Sequence, residues 1–128
     1  MKKITLFSLL LFVFAGAFSQ SQTEAETKKL LCHKWKLTEM EMSGQKVPVP
    51  ADAGDSFLDF KTDGSLLEID KTGEDKAKWT YDHKTKTITT VDKNGTEKYE
   101  IIKISETELI LKATQEGMTF NLIMKMVS

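Results

Sequence analysis

The sequence predicts an all-β domain, an antiparallel up-and-down barrel of eight short strands preceded by one short helix. Three observations predict it. Apolar residues alternate with a period of two through most of the chain beyond Lys34. Turn signals such as Asp63-Gly64, Thr72-Gly73, Asn94-Gly95 and Glu116-Gly117 separate the alternating runs at a spacing of roughly ten residues. Nearly every link is short enough to be a hairpin, so neighbours in sequence become neighbours in space. Such a meander has two open edges, and closing it into a barrel removes them.

The chain begins with an export pattern. Lys2 and Lys3 precede an apolar run from Ile4 to Phe14, and small residues follow at Ala17 and Ser19. Residues 1–19 therefore read as a cleavable signal peptide. The run is too short for a spanning helix, which needs about 20 residues. Residues 20–29 read as a linker and the start of a short helix, and residues 30–128 as a single barrel domain. The expected destination is the periplasm or the extracellular space. Loss of two of the 18 basic residues leaves 16 against 19 acids, a net charge of −3. Every basic residue is Lys. Arg is the residue of forked contacts to phosphates and bases, so its absence, with an acidic balance, argues against a nucleic-acid partner. No membrane span is expected in the mature chain. The lone Cys32 cannot form an internal disulfide and reads as a small buried hydrophobe or an interchain link.

The elements follow in order. Thr23 or Thr27 is placed to cap the helix, with Leu30 and Leu31 docking it. Strands are expected over 35–42, 56–61, 66–70, 77–81, 85–92, 96–104, 108–114 and 118–127. Residues 43–55 form the one long loop, with Pro48 and Pro50. Asn94-Gly95 is the strongest hairpin signal. Alternation puts Leu58 with Phe60 on one face of their strand, and likewise Leu67 with Ile69, Trp79 with Tyr81, Leu109 with Leu111, and Phe120 with Leu122 and Met124. Phe57, Leu66, Ile110 and Ile123 then face outward. Two strands slip phase, between Leu37 and Met40 and between Ile101 and Ile102, as β-bulges produce.

Several stretches carry a family resemblance. Leu31-Cys32-His33-Lys34-Trp35-Lys36-Leu37 resembles the helix-to-strand opening of lipocalin-like domains, with His33 where that pattern has glycine. Phe57 to Gly64 is similar to the F-x-F-x-x-D-G strand and turn of small secreted bacterial lipocalin-like proteins, and Trp79-Thr80-Tyr81-Asp82 to their W-x-Y-D strand. The paired late strands, Tyr99 to Ile104 with Glu108 to Leu111, fit as well. The resemblance covers roughly residues 30–127. It implies a lipocalin-like barrel with a mouth, and a small hydrophobic ligand inside it.

An eight-stranded barrel has room for its own side chains or for one small ligand. The candidate ligand-binding residues are Trp35, Leu37, Phe60, Trp79, Tyr81, Leu111, Phe120 and Met124, with Tyr81 as a polar anchor. The alternative is a filled core, with Tyr81 bonded at the rim and the protein acting as a non-enzymatic envelope or protein-interaction module. No cofactor, metal or catalytic residue is expected. Cys32 and His33 are adjacent in sequence, so they point apart on a strand and make a poor metal pair. His83 falls in a turn. The acidic pairs Glu39/Glu41 and Glu74/Asp75 read as solvated surface. There is no phosphate loop and no HExxH, and two His residues offer little for a triad.

Overall fold

A computed structural model of the chain describes residues 22–49 and 54–127. The expected signal peptide and Pro50 lie outside the described residues. The first element is helix α1 (Glu24–Leu31). Thr23 caps it. Its hydroxyl accepts from the Glu26 amide at 3.1 Å, while the Glu26 carboxylate accepts from the Thr23 amide at 3.0 Å. This reciprocal capping box satisfies two amide donors left without partners at the helix start. Thr27 is inside the helix and buried. Of the two caps expected Thr23 is the one used, and a short polar segment with a good cap and one buried stripe, Thr27 and Leu31, suffices for a helix once it docks.

Nine strands follow: β1 (Lys34–Met42), β2 (Gln45–Pro48), β3 (Phe57–Phe60), β4 (Ser65–Asp70), β5 (Gly73–Asp82), β6 (Thr87–Asp92), β7 (Gly95–Ile104), β8 (Glu108–Gln115) and β9 (Met118–Met126). All neighbours are antiparallel, and β1 pairs with β9 to close the barrel. Eight strands, β1 and β3 to β9, make the closed wall. The ninth, β2, lies in the stretch expected to be loop. It pairs with Glu39 to Met42 along the edge of β1 whose other end, Lys34 to Lys36, pairs with β3. Pro48 is tolerated because β2 is an exposed strand at an edge.

The two bulges are where the phase slips placed them. The β1–β9 register shifts between Leu37 and Glu39, and the β7–β8 register between Ile101 and Lys103. Beyond the first shift Met40 stands opposite Leu122 and Met42 opposite Phe120, so both methionines rejoin the inner face. Thr38, the extra residue, donates its hydroxyl to the Ile123 carbonyl at 3.1 Å. Ile102, the extra residue of β7, is half exposed.

Strand β4 departs from expectation. Leu66 pairs with Ala77 and is fully buried, while Leu67 and Ile69 are on the outer face. The two-residue turn at Lys71 and Thr72 fixes this register. Since Ala77, Trp79 and Tyr81 point inward, Asp75 shares their face, and the β4 partners of Ala77 and Asp75 are Leu66 and Glu68 rather than Leu67 and Ile69.

One end of the barrel is filled. Leu31, Trp35, Phe60, Trp79, Tyr81, Ile88, Leu109, Leu111 and Met124 form its core. The Phe60 and Trp79 rings meet edge to face, with centroids 5.4 Å apart. Trp35 Nε1 donates to the Leu31 carbonyl and Trp79 Nε1 to the Lys61 carbonyl, each at 3.0 Å. The Trp79 amide also donates to the Gly64 carbonyl at 2.9 Å, which ties the β3–β4 turn to β5. Helix α1 lies across this end. The opposite end carries the turns β1–β2, β4–β5, β6–β7 and β8–β9, and among the described residues no helix covers it.

Candidate binding site at the barrel mouth

The inner face of the uncovered end can be read strand by strand from the registers. Glu68 of β4 stands opposite Asp75 of β5, one step beyond the buried pair Leu66 and Ala77. Thr90 of β6 is buried opposite Trp79 and Glu97, so Asp92, two residues on, shares that face. Tyr99 of β7 pairs with buried Ile88 and with Ala113 of β8. Ala113 pairs in turn with Phe120 of β9, which pairs with Met42. The mouth therefore has two unlike arcs. Strands β4 to β7 present Glu68, Asp75, Asp92 and Glu97. Strands β8, β9 and β1 present Ala113, Phe120, Leu122, Met40 and Met42.

The acidic arc is internally bonded. The Tyr99 hydroxyl donates to Glu97 Oε2 at 2.5 Å. Burial raises the Tyr99 phenol well above its ordinary range, reinforced by that bond and the Glu97 charge. Asp92 Oδ1 accepts from the Asn94 and Gly95 amides at 2.7 and 3.1 Å, within the Asn-Gly turn where Gly95 takes φ 135°. Glu68 is hydrogen-bonded to Asp92. Burial, that bond and the charges of Asp92, Glu97 and Asp75 push the Glu68 carboxyl from an ordinary 4.5 up to about 7. The same bond, the turn amides and Lys93 hold Asp92 low, so Glu68 carries the proton of the pair. Lys93, on the β6–β7 turn, reaches Asp75 at 3.3 Å. Asp75, expected on the solvated surface, is 46% exposed at the rim, on the same face as Ala77.

A cavity of about 770 Å³ opens beside Glu97 and Tyr99. It lies where β7 and β8 part. Their ladder begins at Tyr99 and Ala113, leaving Thr96 to Lys98 and Thr114 to Gln115 without a partner across the gap. Glu97, Tyr99, Ala113, Phe120 and Leu122 line it from the inner face, and Lys98 and Lys112 border it outside.

The residues expected to bind ligand divide between the two ends. Trp35, Phe60, Leu111 and Met124 are buried in the filled core, with Leu37 packed against it. Trp79 and Tyr81 are buried there too, and also line a smaller crevice of about 500 Å³ beside α1, with Ala25 and Cys32. The Tyr81 hydroxyl is 3.1 Å from His83 Nδ1 and also bonds Thr27, which leaves it occupied within the fold. Phe120 alone of the eight reaches the cavity. Of the residues expected to face outward, Phe57 has the Lys34 ammonium 4.7 Å above its ring, Ile110 pairs with a largely buried Ile123, and Leu66 is inside. Burial raises the Cys32 thiol, opposed by Lys28. Among the described residues no group of three or more His, Cys, Asp or Glu is arranged to hold a metal ion, and no helix is long and apolar enough to cross a membrane.

The comparisons agree with this architecture. The profile of a family described as the lipocalin-like domain matches residues 31–111. The crystal structure of a lipocalin-like protein from Bacteroides uniformis superposes with a TM-score of 0.56 at 19% identity, covering 77% of this chain and 99% of that one. At that identity the likeness concerns the fold. No curated protein matches the chain.

Proposed function

Because the chain belongs to the lipocalin-like domain family, we propose that it is an exported, non-enzymatic carrier of a small hydrophobic molecule, held at the uncovered end of the barrel. The observation that carries this reading is the cavity of about 770 Å³ where β7 and β8 part, with Phe120, Leu122 and Ala113 in its wall. Apolar surface that a ligand buries there is worth about 25 cal/mol per Å². The hydroxyl, carboxyl and amide groups at the rim would orient it. The filled end supplies a rigid floor. Its Trp and Tyr polar atoms are already bonded, so binding need not break a core contact.

The test is a titration of the isotope-labelled protein with decanol, followed by NMR. Shifts should concentrate at Ala113, Phe120 and Leu122 and spare the indole N–H signals of Trp35 and Trp79. Shifts confined to the filled end, or none at all, would sink the carrier reading and leave the interaction module. Export is checked by N-terminal sequencing of protein isolated from its source, which should begin at Gln20. A chain that retains residues 1–19 would count against it.

A further inference from the structure

We propose that the crevice beside α1 is a second binding site and that it takes a small anionic amphiphile, its alkyl chain against Trp79 and Tyr81 and its carboxylate at Lys29. The crevice is at the filled end of the barrel, away from the mouth. It goes beyond the carrier reading and does not depend on it.

Helix α1 is docked by one stripe and open on the next. Thr27 and Leu31 bury the first. Ala25, Lys28, Lys29 and Cys32 follow the three- and four-residue spacing that places side chains on one helix face. That face is one wall of the crevice, whose volume is about 500 Å³. Trp79 and Tyr81 of β5 stand across it, and Gly64 of the β3–β4 turn adds no side chain to fill it. The walls hold no polar group in need of a partner. Trp79 Nε1 already donates to the Lys61 carbonyl at 3.0 Å, and the Tyr81 hydroxyl is bonded to His83 and Thr27. An alkyl chain placed there leaves water without stranding a donor or an acceptor.

The charge at the rim has one sign. Lys28 and Lys29 line the crevice, and no carboxylate does. Glu24 and Asp82 put acidic charge near Tyr81 from outside it, and Lys28 engages Glu24 at 3.4 Å. Lys29 has no carboxylate partner among the described residues. A carboxylate headgroup therefore completes an ion pair that the fold leaves open, while an ammonium headgroup would meet two lysines. The mouth has no such bias, since its cavity is bordered by Glu97 and Glu100 as well as by Lys98 and Lys112.

The experiment titrates the isotope-labelled protein with octanoate, octanol and octylammonium, which share one alkyl chain, and follows it by NMR. Octanoate should shift the Ala25 methyl and the Trp79 indole N–H at concentrations that leave both unmoved by octanol. Its affinity at this site should be about tenfold the higher, the scale of a charge-assisted hydrogen bond, with octylammonium the weakest. Lys29→Gln, an exposed substitution, should erase the advantage of octanoate over octanol. Ala25→Phe fills the crevice and should abolish the octanoate shifts at Trp79 while leaving any decanol shifts at Phe120 as they are. If Ala25→Phe does not fold, Lys29→Gln decides alone. Octanol as effective as octanoate at Trp79, octylammonium tighter than either, or unchanged octanoate affinity in Lys29→Gln overturns the proposal. Octanoate that shifts Ala113, Phe120 and Leu122 but not Ala25 and Trp79 is bound at the mouth, which overturns the proposal and supports the carrier reading. Failure of octanoate to bind at all overturns the second site and leaves the carrier reading to its own titration with decanol.

Discussion

Glu68 shows how one side chain registers its surroundings. On a solvated strand it would be an ordinary carboxylate. Partly buried, bonded to Asp92 and opposite Asp75, it resists ionisation up to about pH 7. The consequence for stability has a definite sign. The unfolded chain ionises Glu68 near its ordinary value of 4.5, whereas the folded chain holds the proton to about 7. Between those values the folded state binds more protons, so the contribution of Glu68 to stability is fully present below the lower value and is lost as pH rises through the upper one. Glu68→Gln keeps the shape and removes the penalty. The variant should have a higher urea midpoint than the wild type at pH 8, above that window, and little or no advantage at pH 4, below it. An equal difference at both would show that Glu68 is not the titrating group. Leu66 was misread in sequence for a local reason. Ser65-Leu66-Leu67-Glu68-Ile69 places apolar residues on both phases, and counting them favours Leu67 and Ile69. The missing signal was two residues further on, in a tight turn that ties the phase of β4 to that of Trp79.

At the scale of elements, the bulges were legible and β2 was not. A bulge leaves a mark on the sequence because apolar residues change phase, as between Leu37 and Met40. Strand β2 leaves none. Gln45-Lys46-Val47-Pro48 is short, exposed and ends in proline, and it forms because β1 offers a free edge at Glu39 to Met42. Deleting Thr38 makes the role of the first bulge measurable. Without the extra residue, either Trp35 or the Met40 and Met42 pair must turn to the wrong face of the sheet. Trp35 is fully buried, so the loss should be large, on the order of 3–5 kcal/mol if its burial is forfeited. Thr38→Ala keeps the bulge and loses one part-buried hydroxyl bond to Ile123, with an expected cost of about 1 kcal/mol. Urea denaturation followed by circular dichroism separates the two. Similar midpoints for both variants would mean that the bulge is not required for register.

The whole molecule is a barrel with unequal ends. Helix α1 and the large side chains of Trp35, Phe60 and Trp79 fill one, and the other carries acids, methionines and a split between β7 and β8. Stability should be graded along the barrel in the same sense. In hydrogen exchange, amides of Leu109 and Leu111 should be among the slowest. Those of Thr96 to Lys98 and of Thr114 and Gln115, beyond the end of the β7–β8 ladder, should exchange fastest among strand residues. Uniform protection along β8 would mean that the split closes in solution, and the carrier reading would lose its entrance.

What the sequence determined by itself was the container. Period-two alternation, tight turns and phase slips are local properties of a chain that must bury one face of each strand, and they sufficed for an all-β barrel with a short helix and bulges at the right places. The location of the candidate site was decided only by tertiary structure. Trp35, Phe60, Trp79 and Tyr81 are apolar or aromatic whether they line a pocket or fill a core, and sequence alone does not distinguish the two. Closure of β1 onto β9 and the docking of α1 made them core. The charged residues Glu68, Asp75, Asp92 and Glu97 are far apart in the chain and unremarkable in it. They acquired meaning when three hairpin registers turned them to the same inner face, where burial and the neighbouring charges raise the Glu68 carboxyl.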